Sequence, residues 1–193
     1  MARERRFTFA ISLSVLNQLG RNLYRSFATV LGEAISNSWD ANADNVKIYV
    51  NRDNNSFVIK DDGDGMTSRD FQNKFLRVGY SKRKDNQTHS PPPKKRPYIG
   101  RKGIGKLALL SCAKRISVIS KTKNGMYVGG VIDNSGLDDA IKNDFVPNKY
   151  RLESVDMTQF HKYTKNHQKG TIIYFENMNE GIRNSLKQMI LEY

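Results

Sequence analysis

The chain has little cysteine and no long apolar run. A single cysteine, Cys112, stands among 193 residues, so an intrachain disulfide and a zinc site built from several thiolates are both excluded. No stretch of about 18 apolar residues occurs, so we predict no membrane-spanning helix and no membrane partner. The basic N-terminal residues are not followed by an apolar core and a cleavage site, so we expect no signal peptide and a cytoplasmic location.

Acidic residues are scarce relative to basic ones. The chain has 32 Lys and Arg against 19 Asp and Glu, a net charge of +13. Nine of the basic residues lie in the stretch 81–106, beside a single acid, Asp85, and four prolines lie there too. This pattern predicts a long basic loop. It acts either as a lid over an anionic ligand or as a solvated insert.

Hydrophobic periodicity predicts helices early in the chain and strands late. Apolar residues over 27–39 recur at helical spacing and predict a core-facing stripe that includes Ile35 and Trp39. The runs 46–50 and 57–59 predict a hairpin. Further helices are predicted over 12–19, 67–76, 106–113 and 182–191, and further strands over 116–120, 126–132, 150–155 and 171–175. This order favours an α+β fold with a mixed or largely antiparallel sheet.

Three polar residues share a second face of the 27–39 helix. Glu33, Asn37 and Asp40 are spaced i, i+4 and i+7, which places them on one side. A carboxylate and an amide one turn apart can hold a metal ion and a water beside a phosphate. A solvated helix face is the alternative explanation of the same spacing.

A second polar run, Asp-Asp-Gly-Asp-Gly-Met, occupies residues 61–66 directly after a predicted strand. Two glycines two residues apart let the backbone turn sharply and let a flat ligand approach closely. A carboxylate at the strand end can accept a hydrogen bond from an exocyclic amine. The run lacks the glutamate that a calcium loop needs at its twelfth position, so that site is excluded. A plain β-turn is the alternative.

A third run, residues 100–106, is rich in glycine and basic residues. Glycine amides that lead into a helix N-terminus suit phosphate binding. The run nearly fits the P-loop pattern, but Leu107 stands where Ser or Thr must hold magnesium, and prolines rather than a buried strand precede it. Phosphate binding by another architecture is therefore expected.

Taken together, these runs resemble the motifs of the GHKL ATPases, the Bergerat-fold group of gyrase, the heat-shock chaperone, histidine kinases and MutL. Residues 33–41 (Glu-Ala-Ile-Ser-Asn-Ser-Trp-Asp-Ala) resemble the N box, and residues 61–66 resemble the first glycine box. Residues 99–105 (Ile-Gly-Arg-Lys-Gly-Ile-Gly) resemble the second glycine box, and Gly170-Thr171 resembles the late threonine. The resemblance covers about residues 9–175. It implies a two-layer α/β sandwich with a mixed, mostly antiparallel sheet, helices on one face, and an ATP lid at about residues 79–105.

The resemblance also implies residue roles. Glu33 would be the general base for the attacking water, and Asn37 would ligate Mg²⁺. Asp61 would accept a hydrogen bond from the adenine amine, and Thr171 would support it. The remaining expected ATP-binding residues line the pocket or contact the phosphates: Asp40, Gly63, Gly65, Met66, Gly100, Arg101, Lys102, Gly103, Ile104, Gly105 and Lys106.

These implications predict one ATP-binding domain over residues 1–193, the N-terminal fragment of a longer protein. It would bind ATP and ADP with Mg²⁺, hydrolyse ATP slowly, and drive a conformational or dimerisation cycle as a nucleotide-dependent homodimer. Contact of the parent protein with DNA or RNA is a further expectation. One alternative is a nucleic-acid-binding module that uses the basic 81–106 loop. Another is a histidine-kinase-type domain, although His89, His161 and His167 do not lie on an upstream dimerisation helix.

Overall fold

The computed structural model describes residues 26–77, 97–99, 109, 112–134 and 151–191. In chain order the elements are α1 (Phe27–Asp40), β1 (Val46–Asn51), β2 (Ser56–Asp61), α2 (Ser68–Asp70) continued by a π-helical turn (Phe71–Phe75), β3 (Ala113–Lys121), β4 (Val128–Asp133), a 3₁₀ turn (Met157–Phe160), α3 (His161–Thr164), β5 (Gly170–Met178) and α4 (Glu180–Leu191). The helix predicted over 12–19 lies outside the described residues.

The five described strands form one open sheet in the order β1-β2-β5-β3-β4. Each neighbouring pair is antiparallel. The last strand in the chain is therefore the central one, because Ile172 of β5 pairs with Lys60 of β2 on one side and with Ile119 of β3 on the other. This architecture confirms the predicted α+β fold and brings the end of β2 beside the start of β5.

The main core lies between the sheet and the helices α1 and α4. Phe57 of β2 stacks on Phe175 of β5 with ring centroids 4.2 Å apart, and Phe27 of α1 meets Phe57 edge-on at 5.1 Å. Such aromatic pairs contribute about 0.5–1.5 kcal/mol beyond their burial. Ile182 and Leu186 of α4 are buried in the same cluster. The contact of Phe27 with Phe57 therefore joins the sheet to its helical layer.

A smaller apolar cluster lies on the opposite face of the sheet. Its buried strand residues are Val58, Ile119 and Ile172, which Phe160 and Tyr163 cover. The short helical segment of the 3₁₀ turn and α3 thus packs beneath the central strands and fixes the chain that leads into β5.

The buried stripe of α1 is narrower than its sequence predicts. Ile35 and Trp39 were expected to face the core, but they are 48% and 37% exposed. The indole N–H of Trp39 donates to the carbonyl oxygen of Pro97 at 3.0 Å. The C-terminal end of α1 buries polar residues because it contacts the polar 61–66 turn rather than the apolar core. The buried residues of α1 are Phe27, Val30, Ala34, Ser38 and Asp40.

Several other boundaries differ from those predicted. β3 begins at Ala113, inside the range predicted as the helix 106–113, most of which lies outside the described residues. Within the described part of 150–155, Arg151 and Glu153 form isolated bridges, the latter with Val131, and no strand, so the predicted strand is wrong there. Within the range predicted as the helix 67–76, Thr67 caps α2 in a capping box with Asp70. Across the described ranges, no helix has both the length and the apolar character that crossing a bilayer requires.

Helix α4 caps the start of α1 from a distant part of the chain. Ser26 makes no side-chain cap, and the N–H of Phe27 donates to Ser185 Oγ at 3.1 Å. We expect Ser185→Ala to lower the free energy of unfolding by about 0.5–2 kcal/mol, since loss of a helix cap has this effect. Urea denaturation measures the change, with Asn184→Ala on the exposed side of α4 as the matched control. Equal stability of the two variants would contradict this capping role.

Candidate functional site

The carboxylate of Asp61 lies at the end of β2 and is 9% exposed. Its Oδ1 accepts the backbone N–H groups of Gly63 at 2.9 Å and Thr171 at 3.1 Å. Its Oδ2 lies 3.2 Å from Ser38 Oγ, which is also 3.0 Å from the carbonyl oxygen of Ala34. A hydroxyl has one hydrogen, so Ser38 must share it between two acceptors. Oδ1 already accepts two hydrogen bonds, one for each lone pair. Oδ2 receives only the shared hydroxyl of Ser38 and can accept a hydrogen bond from another donor.

Burial raises the pKa of Asp61 above its ordinary value, and the negative charge of Asp62 adds to the rise. The hydrogen bonds from Gly63, Thr171 and Ser38 act in the opposite direction, because they favour the ionised form. A carboxyl group at the end of a strand whose ionised form is disfavoured by folding is typical of a functional position.

Asp62, the adjacent residue, has the opposite character. Its Oδ1 accepts the backbone N–H groups of Asp44 at 2.7 Å and Asn45 at 2.8 Å. Partial burial pushes its pKa upward, but the hydrogen bonds from Asn45 and Asp44 outweigh that effect and the pKa is lowered. Asp62 therefore holds the loop between α1 and β1, whereas Asp61 faces inward.

The glycines of the 61–66 run allow the backbone to pack against itself. A Cβ at Gly63 would lie 2.8 Å from the carbonyl oxygen of Ala41 and 3.0 Å from Asp61 Oδ1. Gly65 has φ +69°, and its Cβ would lie 1.8 Å from the carbonyl oxygen of Lys121. Any side chain at either position would displace the turn, so both glycines hold the 61–66 run against α1 and β3.

Ser120 of β3 joins three segments beside Asp61. Its Oγ accepts the N–H of Met66 at 3.0 Å and lies 3.0 Å from both the carbonyl oxygen of Gly170 and the hydroxyl of Thr171. Met66 is half-buried and packs against the main core. The sequence gives no signal for Ser120, because this serine belongs to none of the motifs.

His167 is a buried residue that contacts the main chain of Asp61. Its Nε2 lies 2.8 Å from the main-chain oxygen of Asp61, and its Nδ1 lies 2.9 Å from the hydroxyl of Tyr127. Since a carbonyl oxygen only accepts, Nε2 carries the hydrogen and Nδ1 accepts from Tyr127. Burial lowers the pKa of His167, which keeps the ring neutral. From the sequence, His167 entered only the histidine-kinase alternative, and its contact with the main chain of Asp61 was not predicted.

The three polar residues on α1 have different surroundings. Glu33 is half-buried and Asn37 is exposed, whereas Asp40 is 6% exposed. Asp40 Oδ1 accepts the backbone N–H of Ile99 at 2.9 Å. Asp40 therefore holds the segment that directly precedes Gly100, while Glu33 and Asn37 are accessible one turn apart.

The structure brings together only part of the predicted site. Asp61, Gly63, Gly65, Met66 and Thr171 meet where β2, β3 and β5 adjoin. The glycine-rich residues 100–106 lie outside the described residues, as does most of the predicted lid, of which only Pro97–Ile99 is described. In the described ranges, no three His, Cys, Asp or Glu side chains are placed to hold a metal ion together.

Comparison with known proteins identifies the family of this domain. Residues 24–171 match the sequence model of the "Histidine kinase-, DNA gyrase B-, and HSP90-like ATPase" family, which is more than half of the chain. The chain belongs to this ATPase family. The matched range contains every predicted site residue, from Glu33 to Thr171.

One relative of this ATPase-family domain is a Herpetosiphon aurantiacus protein described as "Putative type II restriction enzyme HgiDII". It is 34% identical over 149 residues, which cover 77% of this chain and 23% of that protein. The chain thus spans about a quarter of the length of this relative.

Replacing Asp61 by Asn tests the energetic cost of its buried charge. The pKa of Asp61 in the folded state is above the ordinary 3.8, so the folded state binds the proton more tightly than the unfolded state. The contribution of this group to the free energy of unfolding therefore falls as the pH rises from the unfolded to the folded pKa. We expect Asp61→Asn to be at least as stable as the wild type at pH 7, with the difference vanishing below about pH 3.8.

Thermal melts across this pH range measure the effect, and Asp62→Asn is the matched control. The pKa of Asp62 is lowered in the folded state, so its ionised form stabilises the protein above the ordinary pKa and the control should lose stability at pH 7. A clear loss of stability in Asp61→Asn at pH 7 would contradict the cost assigned to burying this charge.

Proposed function

We propose that this domain binds ATP and that Asp61 recognises the adenine amine. The observation that carries the proposal is the arrangement of the Asp61 carboxylate, whose Oδ1 is filled by two backbone donors and whose Oδ2 keeps the capacity to accept. Adenine presents an amine at the position where guanine presents a carbonyl oxygen. Membership of the ATPase family supports a nucleotide as the ligand.

In this proposal the pocket around the base is formed by the residues that surround Asp61. Gly63 and Gly65 keep the backbone close to α1 and β3. Met66 offers a half-buried apolar side chain to the base. Thr171 supports Asp61 from β5, since its N–H holds Oδ1 and its hydroxyl lies on the same strand end.

The phosphates would lie toward the exposed side of α1. Mg²⁺ prefers oxygen ligands and keeps several waters when it binds nucleotides, and the amide of Asn37 is an exposed oxygen donor of this kind. The ion would neutralise phosphate charge. Glu33, one turn earlier, would orient the attacking water as a general base.

The lid would supply the remaining phosphate contacts. Asp40 holds the N–H of Ile99, directly before the 100–106 run. The basic and glycine residues of that run, Gly100, Arg101, Lys102, Gly103, Ile104, Gly105 and Lys106, would contribute backbone N–H groups and positive charge. Hydrolysis would be slow and would drive a conformational or dimerisation cycle of a larger protein.

A second proposal is contact with DNA by that larger protein. It is supported by the relative described as a putative restriction enzyme and by the net charge of +13. Basic loops bind phosphate backbones without sequence preference. The basic 81–106 loop would serve this contact in addition to covering the nucleotide.

Asp61→Asn should weaken ATP binding by roughly tenfold to a hundredfold, because a hydrogen bond to a charged group contributes about 1.5–3 kcal/mol. GTP should bind poorly to the wild type, since its carbonyl oxygen would face an acceptor. Isothermal titration calorimetry measures both affinities. Asp53→Asn in the exposed hairpin turn makes the same change in net charge and should leave them unaltered. Equal ATP affinity of Asp61→Asn and wild type would contradict the adenine assignment.

Glu33→Gln should retain ATP binding and lose most of its hydrolysis, by about 10²–10⁴-fold, the usual contribution of a positioned general base. Asn37→Ala should instead lose the Mg²⁺-dependent part of binding. Assays with ATP labelled at the γ-phosphate follow both variants. Release of labelled phosphate supports an ATPase, whereas label on the protein supports a kinase. Wild-type turnover by Glu33→Gln would place the base elsewhere.

A further inference from the structure

Ser120 belongs to none of the sequence motifs, yet its side chain is completely buried among the residues of the proposed adenine site. Its single hydroxyl contacts the N–H of Met66, the carbonyl oxygen of Gly170 and the hydroxyl of Thr171, each at 3.0 Å. A buried hydroxyl with three partners has its hydrogen-bond directions fixed by the chemistry of those partners.

The direction of each bond follows from the donors and acceptors present. The N–H of Met66 can only donate and the carbonyl of Gly170 can only accept. All three contacts are hydrogen bonds at the same time only if the one hydrogen of Ser120 goes to Gly170. The hydroxyl of Thr171 must then donate its own hydrogen to Ser120, which leaves only lone pairs on Thr171 Oγ1 for any other partner.

Three backbone donors beside the Asp61 carboxylate and the Ser120 hydroxyl are also engaged within the protein. The N–H groups of Gly63 and Thr171 both point to Asp61 Oδ1, and that of Met66 points to Ser120. The acceptors that keep capacity are Asp61 Oδ2 and Thr171 Oγ1. These two oxygen atoms thus present acceptors to a ligand.

We propose that Ser120 is a specificity-determining residue, which holds the Thr171 hydroxyl as an acceptor and so makes the site select an amino-purine over a keto-purine. The proposal rests on the proposed nucleotide-binding function and adds a residue to it. Without the Ser120 hydroxyl, the Thr171 hydroxyl can rotate and donate. A ligand that carries a carbonyl oxygen would then find a donor where the wild type offers none.

The test is calorimetric titration of ATP and of GTP into the wild type, Ser120→Ala and Ser117→Ala. Ser117 is a second buried serine of β3, 1% exposed, and controls for loss of a buried hydroxyl from that strand. We expect the preference for ATP over GTP to fall roughly three- to tenfold in Ser120→Ala, the value of one neutral hydrogen bond, and to persist in Ser117→Ala.

Thr171→Val distinguishes an effect through Thr171 from a general loss of packing. With valine at this position, adding Ser120→Ala should leave the ATP/GTP ratio unchanged, because the hydroxyl that Ser120 orients is absent. Ser120→Cys keeps a similar volume with a weaker donor and acceptor, and it should shift the ratio in the same direction if Ser120→Ala fails to fold.

The outcomes separate this inference from the function on which it rests. A wild type that binds neither nucleotide overturns both. A wild type that prefers ATP while both Ser120 variants keep the full preference overturns only the role of Ser120. A change in the ratio that persists in the Thr171→Val background also overturns it, since Ser120 would then act by another route.

Discussion

The hydrogen bond from the N–H of Thr171 to the carboxylate of Asp61 joins two strand ends that are 110 residues apart in sequence. It can form because β5 lies between β2 and β3. The absence of a side chain at Gly170 matters equally, since a Cβ there would lie 2.1 Å from the main-chain oxygen of Asp61. The position of the candidate site is thus a direct result of strand order.

Two adjacent aspartates show how surroundings determine the role of a residue. Asp61 and Asp62 are chemically identical, but burial raises the pKa of the first, whereas hydrogen bonds lower that of the second. The second stabilises a loop, whereas burial disfavours the ionised form of the first. In the proposed function, that carboxylate would serve recognition of the nucleotide and not stability.

Local patterns in the sequence predicted the hairpin, the helix that begins near Thr67 and the sharp turn at 61–66, because these depend on neighbours in the chain. They gave no signal for Ser120 or His167, whose partners come from distant strands and loops. Periodicity also misplaced Ile35 and Trp39. Near its C-terminal end, α1 contacts a polar turn, and hydrophobicity alone cannot indicate this.

The central place of β5 also affects how the domain can assemble. In the sheet, β1 and β2 form one hairpin and β3 and β4 form another, and β5 lies between them and pairs with both. Contacts between segments so distant in sequence slow folding. During synthesis on the ribosome, both hairpins would therefore emerge with an unpaired edge. The complete sheet and the contact between Asp61 and Thr171 would form together, only when β5 inserts between the hairpins.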